Sequence, residues 1–318
     1  MSAPVRGDAP HAGLLTTVGH TTLVPLRSVV PAGSATVLVK LEFENPTGSM
    51  KDRMAREVIA RAEADGRLPP GGTVVEYTGG STGSSLAFVC ALTGHPIRIV
   101  TSDAFSREKR DQMAAFGAEL TLVPSDNGLS TKQLFLDMMA AAQALSREPG
   151  RFWVDQLNNA DTIAGYHGLG EEICAQAGGR VDAFVQSVGT SASLLGTAAV
   201  LRHHHPGVRI VAVEPAESPV LGGGAPGAHT IEGIGIGFTP PLWDPSVVDE
   251  VVAVPTDDAK AMTRWLAREE GLFAGTSSGA NVIAALTVAR RLGSGARVVT
   301  LMVDSGLKYL GTDVYRRA

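Results

Sequence analysis

Short runs of β-branched and aliphatic residues, each closed by a glycine-bearing turn, alternate with helical segments along almost the whole chain. Ala35–Glu42, Thr73–Tyr77, Ile97–Val100, Glu119–Val123, Phe184–Val188, Arg209–Val213 and Arg297–Met302 read as strands. Lys51–Ala64, Ser84–Leu92, Glu108–Ala115, Lys132–Ala144, Leu194–His203, Asp257–Glu269 and Asn281–Arg291 read as helices between them. Strands separated by helices pair in parallel, because a parallel neighbour needs a long crossover that a helix supplies. The pattern predicts an α/β protein of two parallel-sheet, three-layer domains. The charged Pro/Gly run Arg147–Gly150 is the expected boundary, dividing 1–150 from 151–318. Glycine-rich segments follow several strands, and ligands in such folds bind at the carboxyl ends of strands. These segments are expected to meet in one cleft between the domains.

With 318 residues, 44% of them hydrophobic, the chain can bury two sizeable cores. Its 37 glycines are not periodic, which excludes a collagen-like fibre. A net charge of −5 with no basic stripe gives no reason to expect a nucleic-acid partner. Cys90 and Cys174 lie in apolar helical contexts, Leu86–Leu92 and Leu169–Ala175, which suits a reducing compartment better than a disulfide framework. No stretch reaches membrane-spanning length, and Met1–Gly13 has no apolar core of a secretory signal. A cytoplasmic protein with a frayed N-terminal tail is expected. No metal site is expected: His203, His204 and His205 close a helix before Pro206 and lack an acidic or thiol companion.

The turn Asn45-Pro46-Thr47-Gly48 delivers Ser49 as a candidate N-cap, and Met54, Ala55, Val58, Ile59 and Ala62 give the next helix an apolar face. Lys51 then falls in the first turn, where the positive end of the helix dipole disfavours a cation. An amine held there has a reason to lose its proton and act as a nucleophile. A lone lysine near a helix start is ordinarily solvated; the segments around this one argue otherwise.

Asn45-Pro46-Thr47-Gly48-Ser49-Met50-Lys51-Asp52-Arg53 resembles the lysine motif of the pyridoxal-phosphate enzymes related to cysteine synthase and cystathionine β-synthase, the fold-type II or tryptophan-synthase-β-like enzymes. Thr78-Gly79-Gly80-Ser81-Thr82-Gly83 resembles their substrate loop, usually Thr-Ser-Gly-Asn-Thr-Gly. Gly189-Thr190-Ser191-Ala192-Ser193 resembles their phosphate cup, usually Gly-Thr-Gly-Gly-Thr. Gly233–Phe238 resembles their active-site glycine loop, and Gly275–Gly279 the segment whose serine meets the pyridine nitrogen. Val18–Leu23 and Asp304–Leu310 resemble their opening and closing signatures. Order and rough spacing agree over nearly the whole chain. Other motifs fail: Gly233–Phe238 lacks the flanks of a dinucleotide fingerprint, and Gly79–Ser84 lacks the lysine of a Walker loop.

The resemblance implies pyridoxal 5′-phosphate as cofactor, in the cleft between the domains, with residues 13–42 crossing to the second domain. Lys51 would bind it covalently and then serve as general base at the substrate Cα. Gly189, Thr190, Ser191, Ala192 and Ser193 would hold the phosphate through hydroxyls and backbone N–H groups at a helix N-terminus. Ser191 and Ala192 replace usual glycines, and a positive φ at either would be strained. Ser277 would face the ring nitrogen, leaving the ring a weak electron sink suited to expelling a group from Cβ; Ser277 and Ser278 could also cap the following helix. Thr78, Gly79, Gly80, Thr82, Gln156 and Gly233 would bind the substrate, although a solvated Gln156 is also open. Ser81 replaces an asparagine that meets the cofactor's O3′, and reaches that oxygen through a water or not at all.

The implied reaction is β-replacement on a β-substituted L-alanine, with O-acetylserine and sulfide giving L-cysteine and acetate as the first reading. β-Elimination (cysteine desulfhydrase or serine dehydratase) and replacement by another thiol or amine remain open, as does a non-catalytic binder that keeps the fold. Arg107 and Arg110 are the candidates for an O-phosphoserine substrate. The expected partners are an amino-acid substrate and a small nucleophile, with a homodimer implied by resemblance and no membrane. No counterpart of the regulatory C-terminal or haem-binding N-terminal extensions of related enzymes is expected.

Overall fold

The computed structural model describes residues 13–128 and 131–316. The tail expected at Met1–Gly13 therefore lies, apart from Gly13, outside the described residues. The chain opens with β1 (Leu23–Pro25), β2 (Thr36–Lys40), α1 (Lys51–Ala64), β3 (Thr73–Tyr77), α2 (Ser81–Thr93) and β4 (Ile97–Ser102). It continues through α3 (Arg107–Ala115), β5 (Glu119–Val123), α4 (Lys132–Ser146), β6 (Arg151–Trp153), α5 (Asp161–Ala164) and α6 (His167–Gln176). The remainder is β7 (Ala183–Ser187), α7 (Ala192–His204), β8 (Arg209–Pro215), β9 (Glu250–Val254), α8 (Thr256–Trp265), α9 (Thr276–Leu292) and β10 (Arg297–Leu301).

The strands form two sheets. The smaller has the order β5-β4-β3-β6 and is wholly parallel. The larger has the order β1-β2-β10-β7-β8-β9 and is parallel except for β1, which runs antiparallel to β2 at the edge. β2 comes from the first part of the chain and pairs with β10 from the last, Val37 opposite Val298.

Period-two alternation along the strands sets the layers. Phe184, Ile210, Ala212, Val299 and Leu301 face Leu169, Ile173, Leu194, Ala198 and Leu201 of α6 and α7. The same core takes in Val74, Ile97 and Ile99 of the smaller sheet and Met54, Val58, Ile59, Leu86 and Phe88 of α1 and α2. The opposite faces pack on α9, through Val185, Val211, Val213 and Val298, and on α4, through Val75, Tyr77 and Val100. Each sheet is thus the middle of three layers, and one core spans both. Burying each such side chain stabilises the fold by roughly 1.5–3 kcal/mol.

Three strands escape the sequence pattern: β1 and β6 have three residues each, too few to show a period, and β9 is an edge strand. The boundary expected at Gly150 needs correction. β6 starts at Arg151 and pairs with β3, so Arg147–Gly150 is an ordinary turn from α4 into the same sheet. α2 starts at Ser81 and α9 at Thr276, earlier than expected, because their first turns hold small polar residues and no apolar period.

A buried ionic cluster anchors α1. Arg53 bonds Glu42 through Nε (2.7 Å) and Glu172 through Nη1 (2.7 Å), and Lys40 Nζ meets the other Glu172 oxygen at 2.7 Å. The cluster joins β2, the segment after it, α1 and α6, and so fixes the helix that carries Lys51. Among the described residues no helix is long and apolar enough to cross a membrane. Cys90 is buried and Cys174 half-buried, and both are free thiols.

Candidate active site

One cavity of about 870 Å³ opens at the carboxyl ends of the strands. Its walls include Thr78 after β3, Ala104 after β4, Gly189 after β7, Glu217 after β8 and Val303 after β10. Both sheets therefore contribute, as expected of a parallel fold.

Lys51 is the first residue of α1 and faces this cavity. A β-turn closed by the Gly48 N–H on the Asn45 carbonyl (2.7 Å) leads into it, and the Lys51 N–H donates to Ser49 Oγ at 3.2 Å. The Asp52 carboxylate accepts the Thr47 N–H (2.8 Å) and hydroxyl (2.6 Å), which pins the turn to the helix. Burial lowers the Lys51 amine from 10.5 to about 8, while the Asp304 carboxylate pulls the other way. Desolvation is thus the leading cause of the shift. A second buried lysine, Lys308, is also lowered to about 8 by burial, but its Nζ donates to Gln112 Oε1 at 2.6 Å and it does not line the cavity.

Gly189, Thr190 and Ser193 line the cavity between β7 and α7; Ser191 and Ala192 do not, and are buried behind it. Ser191 takes the left-handed conformation, φ +72°, that is strained for any residue but glycine, and its Oγ is buried without a hydrogen-bond partner. Ser193 Oγ accepts from Gln186 Nε2. A Cβ on Gly189 would stand 2.4 Å from the Gly233 carbonyl oxygen, so only glycine lets the cup and the Gly233–Phe238 loop meet. Asn281 holds the cup from below, accepting the Ser187 N–H (2.7 Å) and donating to the Leu301 carbonyl (3.0 Å).

Thr78, Gly79, Gly80, Ser81, Thr82, Gln156 and Gly233 all line the cavity. Gln156 is buried, not solvated. Its Oε1 accepts the Thr82 hydroxyl (2.8 Å) and its Nε2 donates to the Tyr77 carbonyl (3.2 Å). The carbonyl fixes the amide's orientation, since the reverse would set two acceptors against each other. Thr82 has therefore committed its hydroxyl proton. Thr78 has not: its Oγ1 accepts the Gly80 N–H at 3.0 Å and keeps a proton to donate.

Ser277, in the first turn of α9, lines the cavity. Neither serine caps that helix: the N-cap is Gly275, and Ser278 Oγ instead accepts the Val303 N–H at 2.9 Å. The Ser81 hydroxyl turns to Asp304 Oδ2 (3.1 Å), which also accepts the Tyr309 hydroxyl (2.8 Å). Sequence reasoning missed Asp304, Lys109 and Glu232 as cavity residues. Lys109 reaches across the cleft to Glu232 (2.5 Å) and lies over the Tyr309 ring. Asp304 had a usable signal, because it follows β10 at its carboxyl end. Arg107 and Arg110 do not line the cavity, and Arg107 is exposed and paired with Asp111. His204 pairs with Glu171 at 3.1 Å.

Two largely parallel sheets around a cleft lined by a lowered amine, a strand-to-helix turn of small hydroxyl residues and the Ser277 hydroxyl make an α/β protein suited to chemistry at a nucleophilic amine. The model of the pyridoxal-phosphate dependent enzyme family matches residues 14–304. A cysteine synthase of Staphylococcus aureus is 41% identical over 300 residues, covering 94% of this chain and 95% of its own. The crystal structure of a cysteine synthase from Entamoeba histolytica superposes with a TM-score of 0.90 at 35% identity, over 100% of this chain and 94% of that one. A hydrogen sulfide-producing enzyme from Fusobacterium nucleatum gives 0.87 at 34% identity, over 94% of this chain and 100% of that one. The chain belongs to the pyridoxal-phosphate dependent enzymes, is of the cysteine synthase type, and uses pyridoxal phosphate. The residues present fit that group: the Lys51 amine, the turn residues Gly189, Thr190 and Ser193 at the start of α7, and the Ser277 hydroxyl line a single cavity.

Proposed function

We propose that the enzyme converts O-acetylserine and sulfide into L-cysteine and acetate. The observation that carries this reading is the meeting of Lys51, Thr78–Thr82, Gly189, Thr190, Ser193 and Ser277 around one cavity, in a chain 41% identical to a cysteine synthase. Pyridoxal phosphate supplies an aldehyde for amines and a ring that spreads negative charge from Cα. Lys51 Nζ would hold that aldehyde and, once the substrate is seated, would act as the base at the substrate Cα. Thr190 and Ser193 hydroxyls, with backbone N–H groups from Gly189 to Ser193, would hold the phosphate; Ser191 and Ala192 would take part through backbone alone. Ser277, which lines the cavity, would supply the hydroxyl partner of the ring nitrogen. Thr78 donates its hydroxyl to the substrate carboxylate, and Gly79, Gly80, Thr82, Gln156 and Gly233 complete that binding edge. Ser81 holds Asp304 and would leave O3′ without a direct serine contact. The Cβ–O bond breaks with its pair on acetate, sulfide supplies the pair for the C–S bond, and Lys51 returns a proton to Cα.

The two sheets are read as two domains, divided after Trp153, with residues 13–42 belonging to the second; the pairing of β6 with β3 and of β2 with β10 supports this. A cytoplasmic homodimer completes the proposal: two free thiols suit a reducing compartment, and resemblance supports the dimer. The test is to supply purified enzyme with O-acetylserine and sulfide. Stoichiometric cysteine and acetate are expected; steady pyruvate release independent of sulfide would replace this reading with elimination.

A further inference from the structure

Glu76 is the one acidic residue of β3, the strand that ends at the substrate loop, and it is fully buried. Its neighbours on the strand are apolar, and its side chain forms none of the salt bridges among the described residues. Both oxygens are nevertheless used: Oε1 accepts the Tyr77 N–H at 2.7 Å and Oε2 accepts the Gln156 N–H at 3.0 Å. The reason lies in the sheet. β3 and β6 pair in parallel up to Val75 opposite Trp153, with the Val154 N–H on the Val75 carbonyl (3.0 Å). One more rung would set the Gln156 N–H on the Tyr77 carbonyl. Asp155 breaks the ladder by turning left-handed, φ +48°. Two side chains then stand in for the lost rung, Glu76 taking the Gln156 N–H and the Gln156 amide taking the Tyr77 carbonyl.

We infer that Glu76 is a positioning residue for the substrate carboxylate, holding Gln156, and through it Thr82, at the binding edge of the cleft. The inference rests on the proposed function of that edge. Without the Glu76 oxygen a buried N–H loses its acceptor and the Gln156 backbone is free to turn. The amide would then release the Thr82 hydroxyl. Cofactor binding is untouched, because the cup belongs to β7 and α7.

Glu76→Gln keeps the shape but offers one acceptor for two N–H groups. At pH 9, where the Glu76 carboxyl, pushed up to about 8 by burial, is ionised, purified holoenzyme is titrated with L-alanine and with ethylamine, the same molecule without its carboxylate, and the change in cofactor absorbance gives each Kd. The substitution is expected to weaken L-alanine roughly tenfold or more, as for a lost hydrogen bond to a charged group, and ethylamine less than about twofold. Should Glu76→Gln not fold, Glu76→Asp withdraws the carboxylate from Gln156 and is expected to show the same selective loss. Equal weakening of both ligands, or of neither, overturns the inference while the cofactor reading stands. A wild-type protein that gives no cofactor band overturns both.

Discussion

The lowered amine of Lys51 has a measurable consequence in how fast the apoenzyme captures its cofactor at different pH values. Only the neutral amine attacks an aldehyde. With its pKa at about 8 instead of 10.5, the amine is about 9% neutral at pH 7, against about 0.03% for an ordinary lysine. The structure therefore gives an advantage of roughly 300-fold at neutral pH. The assay is stopped-flow mixing of apoenzyme with pyridoxal phosphate, following the visible band from pH 7 to pH 10. The capture rate is expected to rise about tenfold per unit below the midpoint and to level off near pH 8. In Asp304→Asn the midpoint moves to lower pH, because that carboxylate favours the ammonium form. A rate that climbs without levelling to pH 10 would refute desolvation of Lys51 as the source of its reactivity.

Further outcomes follow from the packing around the site. Gly189→Ala drives a Cβ to 2.4 Å from the Gly233 carbonyl, so the cup and the glycine loop must part at a cost of about 1–3 kcal/mol; equilibrium titration should show cofactor Kd raised by about 5- to 150-fold, and an unchanged Kd contradicts the close approach. Ser191→Gly relieves a left-handed residue and removes an unpartnered buried hydroxyl, so thermal unfolding should be unchanged or shifted up by about 1 kcal/mol, and a clear loss would show that the serine earns its place by some contact. Burial alone would raise Glu172, but the hydrogen bonds and charge of Arg53, with Lys40, outweigh it and hold the carboxylate at about 2. Its folded value lies below its unfolded one, so its contribution is complete above about pH 4.5 and fades as pH falls toward 2; urea midpoints should show this loss, and Glu172→Gln should flatten it. Arg53→Ala strands the buried Glu42 and should cost about 3–5 kcal/mol in denaturant unfolding.

The main strands were legible because most are buried on both faces and read as apolar runs ended by glycine. The three-residue strands β1 and β6 were not, since no period shows in three residues, and that hid the true extent of the smaller sheet. The cavity-lining loops were legible because glycine and hydroxyl residues cluster where a backbone must approach a ligand. What sequence could not give was how their hydroxyls are spent. Thr78 and Thr82 look alike in the motif, yet one keeps its proton and the other gives it to a residue 74 positions away. Ser81 looked like a shortened asparagine and is instead tied to Asp304, a partner 223 residues distant. The left-handed conformation of Ser191 could be read from sequence only as a condition set by the cup, because φ is set by the loop's closure and not by the residue.

The central claim is that Lys51, and no other buried lysine, bonds the cofactor. Reduction of the holoenzyme with borohydride followed by peptide mass mapping tests it directly. The cofactor mass should appear on Lys51 alone, and the Lys51→Ala protein should give no adduct. An adduct on Lys308 or Lys109, or one that survives loss of Lys51, would contradict the account.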